Sequence, residues 1–232
     1  MQSECELDAR RAAPLPAWHP LLLVGLLLAV AVTGLFLREH GAISATPSGS
    51  RIAQAYVPML AVSWGLFLYV CRVGRSRSAL RDLLGTAGYS ARRASWDVLL
   101  GLALAAALIL GELGWQFAVG DVRNARVDML LPLTRVERAV WCAVALSAAF
   151  SEEVVYRGYL ARELTRLSAR PAVGVLGQAV LFGLAHGEQG SGTMLRFFVY
   201  AVGLALVAAA RRSLVPCIIG HASVDLLAGF AQ

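Results

Sequence analysis

Seven stretches of this chain are apolar enough to lie in lipid: residues 20–37, 52–71, 96–119, 139 up to the glutamate pair at 152–153, 171–185, 193–210 and 214–230. A helix that crosses the ~30 Å hydrocarbon layer takes roughly 17–25 such residues. Lipid offers the backbone no hydrogen-bonding partner, so only helices and closed barrels can span it. One compact bundle of about seven transmembrane helices, all-α and polytopic, is the natural assembly; the count falls to six if the short penultimate segments merge. Composition agrees. Hydrophobic residues make up 58% of the chain and charged ones 16%, against about a quarter charged in an ordinary soluble domain.

The charged residues are distributed unevenly. The formal charge is +6, and every one of the 21 basic residues is arginine. A basic balance in a soluble protein would suggest nucleic acid. Here the arginines sit between apolar runs, so the preference of cytoplasmic loops for positive charge is the better account, and no nucleic-acid partner is expected. The densest group, Arg72, Arg75, Arg77, Arg81, Arg92 and Arg93, is placed in the cytoplasm. Alternation then puts the N-terminus with Arg10 and Arg11 inside, together with Arg162, Arg166, Arg170, Arg211 and Arg212. The mixed-sign region 121–138 falls outside. Exclusive use of arginine, with abundant alanine, fits a GC-rich bacterial genome, so a bacterial inner membrane is the expected location.

Residues 1–19 form a polar tail, and no small-residue cleavage site marks the apolar run after it, which reads as a retained first helix. Residues 20–135 hold three apolar helices and their loops, including a turn at 45–50 (ATPSGS). Residues 136–232 form a distinct helical core. Ionisable side chains are scarce inside the first three apolar runs, with Glu112 an exception near a helix end, whereas each later segment carries them. Small residues such as Gly183 and Gly187 there permit close helix approach. The cysteines, Cys5, Cys71, Cys142 and Cys217, are isolated. They form no disulfide framework or thiol–metal motif, and Cys142 and Cys217 read as small buried packers.

Chemistry therefore belongs to the second half. Charged groups inside membrane helices are costly and usually face the bundle interior. Glu153 and Arg157, four apart, can form an intrahelical ion pair. Glu152 points about 100° away around the helix and has no local cation, which makes it a candidate general base or metal ligand. The next segment reads LFGLAHG, with Phe182 and His186 on one face; alone, His186 could be a satisfied helix-terminal histidine. The last reads GHASVD, where His221 and Asp225 share a face and could simply bond to one another. Together the three segments supply one free carboxylate, two imidazoles and a second carboxylate, the parts that activate water and stabilise an oxyanion.

The set also resembles a known family. Glu152-Glu153 followed by Arg157, then Phe182 and His186, then His221 and Asp225, are similar in order and interval to the three motifs of the CPBP (Abi) intramembrane proteases, which include the type II CAAX prenyl endopeptidases. The resemblance covers about residues 139–232. It implies a CAAX-protease-like core and hydrolysis of a peptide bond in a membrane-associated peptide or protein, with no nucleic acid involved. By residue it implies that Glu152 activates water with help from His186, that His221 and Asp225 hold the oxyanion, and that Glu153, Arg157 and Phe182 support the site. Many members carry Asn where this chain has Asp225. An Asn amide donates to an oxyanion and an ionised carboxylate does not, so Asp225 is either protonated, an orienter of His221, or a metal ligand. A divalent ion such as Zn²⁺ held by Glu152, His186, His221 and Asp225 stays open, since such donors suit zinc.

Other readings fit less well. There is no HExxH. GEQGSG at 187–192 fails the GxSG pattern of a serine enzyme because position 189 is Gln, and Asp121 fails the GxGD pattern. A transporter calls for pseudo-symmetric halves, which the one-sided polar residues oppose. A non-catalytic immunity or chaperone-like protein on the same fold could keep every motif.

Overall fold

The structure, a computed structural model, describes residues 16–39, 52–73, 77–119 and 130–230. Cys5, Arg10, Arg11, Arg75, the turn at 45–50 and residues 120–129 lie outside the described residues, as does the side chain of Arg77. Among the described residues there are eight helices and no strand. They are α1 (Trp18–Glu39), α2 (Val57–Val73, preceded by the π-helical Ile52–Tyr56), α3 (Arg77–Leu84), α4 (Ala91–Val119), α5 (Arg135–Glu152, continued by Glu153–Leu160 and Ala161–Ser168), α6 (Pro171–Ala185), α7 (Ser191–Arg211) and α8 (Val215–Ala228).

Local chemistry sets several of these boundaries. At the start of α5, Glu137 N–H donates to the Thr134 hydroxyl at 3.1 Å, while the Glu137 carboxylate accepts from the Thr134 and Leu133 N–H groups at 2.9 Å. This reciprocal cap satisfies the otherwise orphaned amides of the first turn. The rod ends at Ala169, in the left-handed region at φ 55°, and Pro171 opens α6 within three residues. Proline at a helix start costs no hydrogen bond, and Pro216 does the same for α8.

Five helical segments are long and apolar enough to cross a membrane, in α1, α2, α4, α5 and α7. The chain is thus an integral membrane protein of all-α type. Each of the seven apolar stretches is helical, as expected, and two of these helices are short. The segments at 171–185 and 214–230 are helical, but α6 and α8 have 15 and 14 residues, about 21–23 Å at 1.5 Å per residue, short of the ~30 Å layer. Both lie among longer neighbours. Helix α6 packs on α7, α1 and the end of α5; α8 packs on α4 and α5.

The α4–α8 contact is close. A Cβ built on Gly101 would fall 2.7 Å from Ile219 Cβ and 3.0 Å from the Pro216 carbonyl oxygen. Only hydrogen fits there, and the small residue brings α8 against α4 along its length. The main apolar core joins α5, α6 and α7 through Tyr156, Leu160, Phe182, Leu204 and Leu214, with Leu23 and Leu27 of α1 covering it.

Arginines from separate loops meet at one end of this bundle. Arg211 pairs with the buried Asp97, which also accepts from the Tyr89 hydroxyl. Arg93 donates to the carbonyls of Arg211 and Arg212. Arg162 donates to the carbonyls of Asp82 and Leu83 at the end of α3. Three of the groups assigned to one side of the membrane by charge are therefore neighbours in space.

Candidate active site

Glu153 opens a π-helical stretch, Glu153–Leu160, inside the otherwise α-helical α5. There the Ala161 N–H bonds to the Tyr156 carbonyl, five residues back, and the wider turn re-aims the side chains around it. Such stretches concentrate at functional sites. Every residue of this one is buried.

The two adjacent glutamates have separate surroundings. Glu153 is sealed from solvent, as is Arg157, and their Oε1 and Nη1 atoms are 3.1 Å apart. The guanidinium of Arg157 also lies over the ring of Phe182, 4.2 Å from its centroid. Burial of a charge is tolerated only with such compensation, so this pair braces α5 against α6. Glu152 lies on another face with 24% of its side chain exposed.

His221 of α8 joins the two carboxylates. Its Nδ1 lies 3.0 Å from Glu153 Oε1, and its Nε2 lies 3.4 Å from Asp225 Oδ2 and 3.9 Å from Glu152 Oε2. A carboxylate only accepts, so Nδ1 carries a proton directed at Glu153. Asp225 turns back along its own helix to the other ring nitrogen.

His186 caps the end of α6. Its Nδ1 is 2.8 Å from the Phe182 carbonyl oxygen, an atom that can only accept. Nδ1 therefore carries a proton, and in the neutral ring Nε2 keeps its lone pair. The Phe182 ring touches both histidines, at centroid distances of 4.7 Å to His186 and 6.2 Å to His221. Of the residues singled out by spacing, Glu152, Glu153 and Asp225 are thus gathered around His221, Arg157 pairs with Glu153, and Phe182 touches His186, His221 and Arg157.

A metal fits this arrangement poorly. Among the described residues no three His, Cys, Asp or Glu side chains form a group able to hold one. Tetrahedral zinc ligands, each about 2.0–2.1 Å from the ion, stand roughly 3.4 Å from one another. The 3.9 Å between His221 Nε2 and Glu152 Oε2 exceeds that.

These motifs occupy the second half of the chain, where the order glutamate pair, histidine, histidine–aspartate is matched by contact in space. Residues 135–227 match the family model of Rce1-like type II CAAX prenyl endopeptidases. The resemblance carried by the three motifs is borne out over the segment that contains them. No curated protein and no solved structure matches the chain. At family level the match supports an intramembrane protease of the CAAX type, with a peptide or protein in the membrane as substrate. Helices α1, α2 and α4 lie outside the matched residues.

Several residues of the Rce1-like segment escaped the sequence reading. Trp141 donates its indole N–H to the Asp225 carbonyl at 2.8 Å. Tyr156 meets the Phe182 ring edge to face at 5.0 Å. Phe197 stacks on His186 with centroids 4.1 Å apart and planes 19° from parallel. All three look like ordinary lipid-facing or core aromatics in sequence. Gly183 and Gly187 do permit close approach: added Cβ atoms would meet the Met194 carbonyl oxygen at 2.7 Å and Leu35 Cδ2 at 2.9 Å. Glu112 lies about two turns from the end of α4, near a helix end as expected, and is paired with Arg196. Cys217 is fully buried and Cys142 half-buried.

Proposed function

We propose that this chain is an endopeptidase that hydrolyses a peptide bond of a membrane-associated or C-terminal-tail substrate with a water activated by Glu152. One observation carries the reading. Of two adjacent carboxylates, Glu153 is spent on Arg157 and His221, while Glu152 remains accessible beside the same histidine.

In the proposed reaction Glu152 accepts a proton as the water oxygen bonds to the substrate carbonyl carbon. The unprotonated Nε2 of His186 helps to orient that water. The carbonyl oxygen gathers negative charge, and His221, protonated on Nε2 between Asp225 and Glu152, donates to it. Asp225 holds that ring in place. Glu152 then returns its proton to the amide nitrogen, the oxyanion re-forms the carbonyl as the C–N bond breaks, and a carboxylic acid and an amine leave. No step requires a metal.

The arginine-rich end, with Arg93, Arg162, Arg211 and Arg212, faces the cytoplasm of a bacterial cell in this reading, and the N-terminus lies on the same side. Helix α8 begins at that end, so His221 is about 9 Å into the helix from it. Substrate then approaches from the cytoplasmic leaflet.

Membranes from cells producing the full-length chain or Glu152→Gln, compared by quantitative mapping of new peptide termini, test this reading. Termini that form with the wild type and vanish in the variant are expected. Identical maps overturn it.

A further inference from the structure

His186 has one hydrogen bond to hold its ring, from Nδ1 to the Phe182 carbonyl, and that bond is made to its own helix. It sits where α6 stops, at φ −99° and ψ 14°, with a 3₁₀ turn following. A single hydrogen bond at a helix end leaves rotation about that bond poorly restrained. What restrains it comes from α7.

Phe197 stacks on the imidazole at 4.1 Å and 19°. Phe182 is 4.7 Å away at 42°. The two phenyl centroids are only 6.0 Å from each other, so the contacts subtend roughly a right angle at His186 and do not sandwich it. Phe197 covers a face and Phe182 flanks an edge.

Phe197 is itself held. The Arg196 guanidinium lies 5.6 Å from its ring centroid and is paired with Glu112 of α4. Glu112 also accepts from the Gln116 amide at 3.0 Å and from the Tyr200 hydroxyl at 3.4 Å. Charged side chains inside a membrane span are expensive to keep, and this group is not used by the chemistry above. The α6–α7 approach that delivers Phe197 depends on Gly183, where a Cβ would meet the Met194 carbonyl and Phe198.

We infer that Phe197, steadied by the Glu112–Arg196 pair, is the positioning residue that sets the plane of the His186 ring for hydrolysis. The inference rests on the proposed peptidase reaction for its effect on rate, and on the stacking alone for its effect on the ring. Displacement of a water-orienting group by a fraction of its length costs rate without weakening substrate binding, and losses of about 10- to 100-fold are typical of such misplacement.

The test uses the full-length chain in lipid nanodiscs with isotope-labelled histidine. The chain has four histidines, and the His186 signal is assigned by its disappearance in His186→Gln. In the wild type the Phe197 ring current moves the imidazole Cε1 proton upfield. Phe197→Leu keeps apolar volume and removes the ring. It is expected to release that shift and to slow the Glu152-dependent cut, followed by the peptide terminus it releases, about 10- to 100-fold. Phe197→Tyr keeps the ring and is expected to restore both. An unshifted His186 signal in Phe197→Leu, or a released shift with an undiminished rate, overturns the inference. Should Glu152→Gln leave the cut intact while the His186 signal still responds to Phe197, the peptidase reading fails and the stacking stands.

Discussion

Glu153, and not its neighbour Glu152, receives the Nδ1–H of His221, at 3.0 Å. The division of labour follows from position around one helix. The buried carboxylate has two cationic or donor partners, and among the described residues the accessible one has no cationic partner closer than the 3.9 Å to His221 Nε2.

The two glutamates should therefore fail differently. Glu152→Gln removes the base and keeps the shape, so hydrolysis falls by about 10²–10⁴-fold while stability changes by about 0.5 kcal/mol or less. Glu153→Ala leaves the sealed Arg157 guanidinium uncompensated, a loss of about 3–5 kcal/mol for a buried pair. Thermal unfolding of both purified variants, beside the wild type, separates them. Equal unfolding temperatures for the two variants would contradict this division.

The chelator response tests the donor geometry. No described group of three donors is arranged for a metal. Peptide-bond cleavage by the purified chain is expected to be unchanged by EDTA or phenanthroline. Loss of activity on chelation, restored by added Zn²⁺, would mean that the side chains regroup around an ion.

Much of this site was legible because helical spacing converts directly into shared faces. Glu153 with Arg157, Phe182 with His186, and His221 with Asp225 are each four residues apart, and each pair meets as that spacing requires. Arg157 also showed which glutamate was spent. The π-helical turn at Glu153–Leu160 was not legible, because a one-residue slip in hydrogen bonding leaves the hydropathy pattern unchanged. Nor was the pairing of Asp97 with Arg211, 114 positions apart, since only the tertiary fold brings them together. The charged helices α3 and Ala161–Ser168 were not legible either, because they lie between the apolar runs by which helices are recognised. Phe197 and Trp141 were hidden by company, being aromatics in segments where aromatics need no reason.

Gly101 controls how near α8 comes to α4. Gly101→Val places carbon where Ile219 and the Pro216 carbonyl already stand. The strain of such overpacking is about 1–3 kcal/mol, and its relief moves the helix that carries His221 and Asp225. A drop in unfolding temperature together with a lower cleavage rate is expected. Gly114→Val is the control, because a Cβ there meets nothing within 4 Å.

Trp141 ties the glutamate helix to the aspartate helix. It precedes Glu152 by about three turns and shares its face, and its N–H reaches the Asp225 carbonyl at 2.8 Å. The helical hydrogen bond to that same carbonyl from the Gly229 N–H is long, at 3.4 Å, so the indole supplies its best partner. Gly229 passes so close to the indole that an added Cβ would lie 2.3 Å from Cδ1. Trp141→Phe keeps most of the ring and loses the donor. Its cost is about 1 kcal/mol for the lost hydrogen bond, accompanied by a lower turnover rate because Asp225 is less firmly placed against His221. Trp141→Phe with unaltered turnover and a lowered unfolding temperature would confine the indole to holding the fold, and an unaltered unfolding temperature would remove it from both roles.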